Sequence, residues 1–366
     1  MNTTFQSTDD QHNPEDPLAR RPLVLITGSS GLIGSHLIED LARDFRVVGI
    51  DLKPPARLPA DAAFLQCDLT KDQSVREALA ALAEQHGEHI ASVIHLAAYY
   101  DFSGAPSPLY EQLTINGTRR LLAGLRERFA VEQFVFSSTI LVMKEVEPGK
   151  IITEDSPVEA QWDYPASKVE AETVIARERG TIPAVILRLA GVYDDRGHSP
   201  PITQQIWRIN EKTLESHLFP GHEDRGQPFI HIDDTVAVFR RVIERRVALD
   251  DYEVFLIAEP ELMTYGELQD RIGQLIHGKD HWTTLRIPAS VAKAGAWIKE
   301  KLTSEELFIK PWMVDLADTH LPVSTAPAQE RLGWQAQKRL SATLVKMIEN
   351  LKADPERFYR ENKLSH

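Results

Sequence analysis

Apolar positions in the first half of the chain fall into two alternating rhythms. Residues 23–26 and 45–50 are short, β-rich apolar runs that read as buried strands. Between them, residues 35–43 have helical spacing, with Leu37, Ile38 and Leu41 on one side. The alternation continues with a strand at 63–67 and a helix at 73–85 whose apolar stripe is Val75, Leu79 and Leu82. A strand at 92–98 runs into a turn of small residues, and a long helix spans 109–129. A strand at 133–136, a helix at 164–179 and a strand at 184–189 follow. Strands alternating with helices predict an α/β fold, a doubly wound parallel sheet with ligands bound beyond the carboxyl ends of its strands. After Val192 the alternation becomes irregular. Residues 202–212, 265–276, 289–302 and 341–351 read as helices, and 229–245 reads as strand, cap and helix. The helix at 289–302 carries Val291, Trp297 and Ile298 on an apolar face that suits packing onto a second lobe. This predicts a flexible tail at 1–20 and a nucleotide domain at 21–190, to which 228–250 returns. A smaller substrate lobe is built mainly from 191–227 and 251–366.

The join between the first strand and the first helix carries the strongest chemical signal. It reads Thr27-Gly28-Ser29-Ser30-Gly31-Leu32-Ile33-Gly34. One glycine permits the tight turn, a second lets backbone approach a pyrophosphate, and a third lets the helix pack against the strand. The helix N-terminus offers free N–H groups to the phosphates. Asp51 ends the second strand, 17 residues beyond Gly34, near the position of an acid that binds ribose hydroxyls. Strand, glycine turn, helix, strand and acid together predict a Rossmann-type dinucleotide site.

Composition narrows the classes. The 366 residues carry 41 Lys and Arg against 54 Asp and Glu, a net charge of −13, which argues against nonspecific nucleic-acid binding. The single cysteine, Cys67, excludes an internal disulfide framework and fits a reducing, cytoplasmic setting. Residues 1–20 lack the apolar core of a signal peptide, and no run reaches the length of a membrane span. No His/Cys/Asp cluster has metal-ligand spacing, so no metal site is expected, and His95 on its apolar strand reads as a core histidine.

Tyr164 and Lys168 stand at i and i+4, on one face of a helix. A nearby ammonium is expected to favour the phenolate and bring the phenol below its ordinary pKa of about 10. Such a phenol can exchange a proton with an alcohol or ketone. Thr139, or failing it Ser138, supplies a hydroxyl at a strand end to hold the reacting oxygen.

The ordered set of motifs resembles the extended short-chain dehydrogenase/reductases, including the NAD-dependent epimerase/dehydratase family and the 3β-hydroxysteroid dehydrogenase-like proteins. It runs through the glycine turn, Asp51, Asp68-Leu69, His95-Leu96-Ala97-Ala98, Asn116-Gly117-Thr118, Ser137-Ser138-Thr139 and Tyr164-Pro165-Ala166-Ser167-Lys168. The likeness covers roughly residues 22–240, and Leu332-Gly333-Trp334 is similar to the family's closing segment. The resemblance implies NAD held by Gly28, Ser30, Gly31, Leu32, Ile33, Gly34, Asp51, Asp68, Leu69, Leu96, Ala97, Ala98, Asn116 and Lys168. It implies Tyr164 as the acid/base, Lys168 tuning it, and Thr139 or Ser138 on the substrate oxygen. It also implies a homodimer through the helices at 109–129 and 164–179, whose Leu121, Leu122, Leu125, Val169, Val174 and Ile175 look more numerous than one sheet face needs.

Three positions depart from the family pattern. Ile140-Leu141 stand where sugar dehydratases carry an Asp-Glu pair. Gln227 stands where nucleotide-sugar enzymes carry an arginine, and Ala190-Gly191 replace an asparagine. The loop from Tyr99 to Gly104 is aromatic. The expected activity is an NAD-dependent oxidoreductase acting on a secondary alcohol or ketone of a small molecule. The alternatives are a nucleotide-sugar epimerase or dehydratase with tightly held NAD, and a non-catalytic NAD-binding protein. Arg188, Arg196, Arg208 and Arg225 are the residues that would build a diphosphate site if two of them converged.

Overall fold

β1 (Leu23–Thr27) is buried at all five positions, which is why its sequence is an unbroken apolar run. Its alternate residues feed two cores. Val24 and Ile26 pack with α1 (Leu32–Leu41), while Leu23 and Leu25 pack on the opposite face of the sheet. The computed structural model describes residues 21–101, 106–212, 214–288, 290 and 318–364. The tail at 1–20, nearly all of the helix expected at 289–302, and Phe102, Ser103 and Gly104 of the aromatic loop lie outside the described residues.

After α1 come β2 (Arg46–Asp51), β3 (Ala62–Gln66), α2 (Asp72–His86), β4 (His89–Ile90) and β5 (Ser92–His95). Then follow α3 (Asn116–Arg128), β6 (Ala130–Val131), β7 (Phe134–Thr139), α4 (Asp163–Glu178) and β8 (Ala184–Leu189). The remaining elements are β9 (Gly191–Tyr193), α5 (Pro200–Asn210), β10 (Leu218–Phe219), β11 (Phe229–His231), α6 (Ile232–Arg245), β12 (Tyr252–Ile257), α7 (Tyr265–His277) and β13 (Leu285–Arg286). Two further helices close the described chain, which we number α8 (Leu340–Ala353) and α9 (Pro355–Glu361).

Seven of the strands form one parallel sheet in the order β12-β8-β7-β5-β1-β2-β3. The chain winds outward from β1 in both directions, so the crevice between β1 and β5 is the topological switch point, where such sheets bind ligands. α1 and α6 cover one face; α2, α3 and α4 cover the other. A third core, built on α5, α7, α8 and α9, makes the smaller lobe. The short pairs β9–β11 and β10–β13 accompany it, and β4–β6 lies beside the main sheet.

Besides the short strands β4, β6, β9, β10 and β13 and the helix α9, which were not expected, two larger differences stand out. β12 is a strand the alternation did not reveal, because it follows the irregular region and carries Glu253 among its apolar residues. It pairs with β8 along its whole length and forms the sheet edge. The helix expected at 109–129 opens instead with a wide π segment, Tyr110–Ile115, before α3. The segment presents the Thr114 hydroxyl to the Tyr99 amide at 3.0 Å. Gly117 then sits so close to Leu69 that a Cβ would lie 3.3 Å from the leucine Cβ. Leu121, Leu122, Leu125, Val174 and Ile175 are all buried in the core beneath α3 and α4. Val169 packs from the other side. The subunit's own core takes up these side chains, so they do not constitute the surplus that suggested a pairing surface.

The C-terminal stretch returns to the main sheet. Leu321, Ala328, Leu332, Trp334 and Ala336 join the core beneath α1 and α6. The Asp234 carboxylate accepts from the Gln337 and Lys338 amides at 3.0 and 2.8 Å. Glu259, just past β12, accepts from the Tyr193 hydroxyl and from the first amide of α8, Leu340 N, at 2.8 Å. Burial pushes its carboxyl up from 4.5 to about 7, against the pull of those two bonds. The folded state thus holds this proton to higher pH than the unfolded chain. The group's contribution to stability is full below about pH 4.5 and is lost as the pH rises toward 7. Glu259→Gln removes the titrating group, so the stability of the variant relative to the unaltered protein is expected to rise by about 2 kcal/mol between pH 5 and pH 8. Urea unfolding of both proteins across that range checks it.

Candidate active site

Gly28 ends β1 with a φ of +69°, and a Cβ there would lie 2.8 Å from the Ala97 nitrogen. At Gly34 a Cβ would lie 2.3 Å from the Gly28 carbonyl oxygen. No L side chain fits either place without a shift, so the two glycines seat the turn directly against the end of β5. Gly31 caps α1 and contributes no side-chain acceptor, which leaves the amides of the first helical residues, Leu32 and Ile33, without a side-chain cap. The Asp51 carboxylate accepts from the Ser30 amide at 2.9 Å and the Leu52 amide at 2.7 Å, fixing it beside the turn. The Ser30 hydroxyl bonds the Lys53 carbonyl.

On the other side of the crevice, the Leu96 amide donates to the Thr27 carbonyl at 3.2 Å and the Ala97 amide to the Thr27 hydroxyl at 3.3 Å. Ala98 continues this half-buried turn. His95 behind it is wholly buried between the Thr27 and Thr118 hydroxyls, at 2.6 and 2.9 Å. Burial holds its pKa down, to about 3, so it is a neutral structural link, as its apolar surroundings implied. Asp68 is engaged by Thr70 and by Lys71, whose ammonium lies at 2.9 Å. Asn116 accepts from Arg119. Leu69 packs against Gly117, which places Asp68-Leu69 and Asn116 on the same rim.

The last three residues of β7 each meet one residue on a single face of α4. Thr139 is hydrogen bonded to the Tyr164 phenol. Lys168 Nζ donates to the Ser137 carbonyl at 2.7 Å, and the Ser138 hydroxyl donates to Glu172. Burial pushes the Tyr164 phenol well above its usual value, and the Thr139 bond draws it only part of the way back. Burial likewise pushes Lys168 down to about 7, opposed by Glu172. The ammonium therefore does not lower the phenol as its spacing suggested. It lies 5.9 Å from the Tyr164 ring centroid and bonds a carbonyl, and desolvation dominates both groups.

Ser138 is not a substitute for Thr139. It belongs to a buried cluster in which Arg188 grips Glu172 through Nε at 3.2 Å and Nη2 at 2.7 Å. Removing one partner of such a pair costs roughly 3–5 kcal/mol. Sequence reasoning missed Glu172, although it stands four residues beyond Lys168 on the same helical face. Arg188, a charge between apolar neighbours in a buried strand, was the second signal that a partner existed.

Aromatic rings surround the phenol. Tyr100 packs edge-on to Tyr164 at 4.9 Å, and Trp162 lies at 5.5 Å. Tyr99 and Tyr110 form a second edge-on pair at 4.9 Å. Trp207 packs against the third core, away from these pairs. Each of the four arginines is engaged by partners of its own. Arg188 is paired to Glu172, Arg225 to Asp318 and Glu147, Arg208 bonds the Leu218 carbonyl at 3.0 Å, and Arg196 lies 4.0 Å from Glu361. Gln227 bonds the Tyr265 phenol. At Gly191 the Phe229 ring lies 2.9 Å from where a Cβ would stand, so no asparagine fits there without a shift. Two cavities of about 320 and 450 Å³, the first lined by Phe229 and Glu259, include none of the glycine turn, Thr139, Tyr164 or Lys168 in their walls. The candidate site is the group of residues gathered at the carboxyl ends of β1, β5 and β7.

A switch-point crevice with a glycine turn on one wall and a Tyr-Lys helix on the other defines an enzyme that uses a dinucleotide. The model of the NAD dependent epimerase/dehydratase family matches residues 24–258, and the chain belongs to that family. Its cofactor is accordingly NAD. The crevice fits that group, because the positions where side chains would block a pyrophosphate are glycine and an acid stands by the turn. Membership in a family of enzymes removes the reading of a non-catalytic binding protein.

Among relatives, the chain is 29% identical to the decarboxylating sterol-4-alpha-carboxylate 3-dehydrogenase of Candida albicans over 193 residues, spanning 46% of this chain and half of that protein. It is 25% identical to human 3 beta-hydroxysteroid dehydrogenase type 7 over 357 residues, 87% of this chain and 92% of that protein. The fold matches that of the UDP-glucose 4-epimerase of Thermus thermophilus in complex with NAD, with a TM-score of 0.67 and 22% identity. That match covers 91% of this chain and 99% of the other. Among the described residues no helix is long and apolar enough to cross a membrane, and no group of His, Cys, Asp and Glu could hold a metal ion.

We propose that Asp51, fixed beside the turn, sets the cofactor choice, because its charge would oppose a 2′-phosphate, with Lys53 as a partial offset. NAD should bind more tightly than NADP, and Asp51→Asn should narrow the gap about tenfold. Calorimetric titration with both dinucleotides checks it; equal affinities in the unaltered protein would refute the assignment.

Proposed function

We propose that the protein is an NAD-dependent oxidoreductase that interconverts a secondary alcohol and ketone on an apolar small molecule. The observation that carries this reading is the Tyr164 phenol, bonded to Thr139 and enclosed by the Tyr100 and Trp162 rings. Rings at that place suit an apolar body presenting one oxygen. Gly28, Gly31 and Gly34 with the α1 amides would hold the pyrophosphate. Asp51 would hold the adenosine ribose, with Asp68, Leu69, Leu96, Ala97, Ala98 and Asn116 along the rim. NAD, when bound, accepts or returns the hydride.

The chain's own residues handle the proton and the orientation. Thr139 would hold the reacting oxygen. Tyr164 would take or give the proton at that oxygen, since its hydroxyl is the buried, transferable group nearest to Thr139. Lys168 would hold the nicotinamide ribose and place positive charge behind the phenol.

A nucleotide-sugar epimerase is the second reading, favoured by Arg225, which is largely buried yet bound to two solvent-accessible carboxylates only two residues from Gln227. Elimination of water as in a sugar dehydratase has less support, because Ile140 and Leu141 offer no acid beside Thr139. A cytoplasmic location belongs to the proposal and rests on the single, buried Cys67. So does a homodimer, which rests on family resemblance alone. Light scattering at micromolar concentration decides the latter, a monomer refuting it.

A panel of hydroxysteroids, terpenoid alcohols and UDP- or dTDP-sugars tests the substrate class. NAD reduction by an apolar alcohol, with weak UDP-sugar binding, is expected. Low-micromolar UDP binding with no signal from apolar alcohols would establish the epimerase reading instead. On the true substrate, Tyr164→Phe should lower turnover by roughly two to four orders of magnitude with NAD still bound. Lys168→Met should weaken both turnover and NAD binding. A Tyr164→Phe protein that keeps most of its activity would remove the acid/base role.

A further inference from the structure

Tyr164, Lys168 and Glu172 occupy positions i, i+4 and i+8 of α4, and all three side chains are buried. Each meets a different residue at the end of β7: Thr139, the Ser137 carbonyl and the Ser138 hydroxyl. Glu172 is the rung that carries a fixed negative charge, held from behind by Arg188 on the neighbouring strand, whose register partner is Ser138 itself. The Arg188 Nη1 group is turned away to the Met143 sulfur at 3.1 Å, so Nε and Nη2 form the clamp.

We propose that Glu172 is a positioning residue for the reaction: a carboxylate pinned by Arg188 and Ser138 that serves as the buried counter-charge of Lys168 and sets the height of the Tyr164–Lys168 pair over the end of β7. The proposal rests on the reading of Tyr164 and Lys168 as catalytic groups. Four titratable or charged groups surround the ammonium. Tyr164 and Glu172 lie on its own helix, His95 on β5, and Arg188 on β8 beyond Glu172. His95 is neutral, and the phenol keeps its proton at neutral pH. Glu172 is thus the negative charge that opposes the burial of Lys168, and Arg188 divides its attention.

This arrangement fixes opposite signs for two variants. Glu172→Gln removes the counter-charge and keeps the shape, so Lys168 should lose its proton at lower pH. Arg188→Met leaves Glu172 undivided, so Lys168 should hold its proton to higher pH. A pair that only packs α4 against the sheet would shift both variants alike or neither.

The experiment is a pH titration of the full-length protein labelled at lysine Cε with carbon-13, followed by NMR, with Lys168→Met to assign the signal. The expected result is a midpoint near 7 in the unaltered protein, lowered by about one unit in Glu172→Gln and raised by a similar amount in Arg188→Met. Equal shifts in one direction, or shifts below about 0.3 unit in both, would overturn the proposal. Should Glu172→Gln fail to fold, Arg188→Met still carries the sign. Glu172→Asp, which keeps the charge, must then stay within about half a unit of the unaltered midpoint. The titration needs no substrate, so its failure is separable from a failure of the catalytic reading, which Tyr164→Phe alone decides.

Discussion

The contact between α4 and the end of β7 is the constraint on which the site depends. A parallel sheet buried on both faces leaves its strand ends as the place where polar groups gather, and a crossover helix packed on one face brings its first turns alongside those ends. Here three consecutive strand residues meet three successive turns of that helix, with hydroxyl on phenol, carbonyl on ammonium and hydroxyl on carboxylate. Moving the helix by one turn would mismatch every rung. The glycine turn fixes the opposite wall by the same means, backbone against backbone, at Gly28 and Ala97. Substrate and cofactor would meet between two walls that are each set by close packing.

Desolvation governs the chemistry between those walls. The i, i+4 spacing of Tyr164 and Lys168 led to the expectation of a lowered phenol, because spacing shows which charges are near. It does not show how deeply they are buried, or that a carbonyl intercepts the ammonium. Burial moves both groups toward their neutral forms, the phenol up and the amine down to about 7.

The main sheet was largely legible in the chain, because strands buried on both faces are nearly continuous apolar runs, as at residues 23–26 and 184–187. β12 was not, since an edge strand is constrained on one side only and tolerates Glu253. The glycine turn and Tyr-Lys helix were legible as motifs because their spacing is dictated by backbone geometry. The partners of Ser138 and the four arginines were not, because pairing depends on register between distant strands. Ser138 meets Glu172 only because β7 and β8 align Ser138 with Arg188. The surplus of leucines on α3 misled for a related reason: periodicity counts apolar faces but cannot say whether a second helix or a second subunit covers them.

The closing segment around Trp334 has a consequence for how the molecule can be divided. The family match ends at residue 258, yet the hydrophobic layer beneath α1 and α6 is completed by Leu321, Ala328, Leu332 and Trp334, and Asp234 bonds the backbone that follows. A fragment that stops at the end of the matched region would lack the side chains that complete this layer, and a cut there would leave apolar surface on α1 and α6 uncovered.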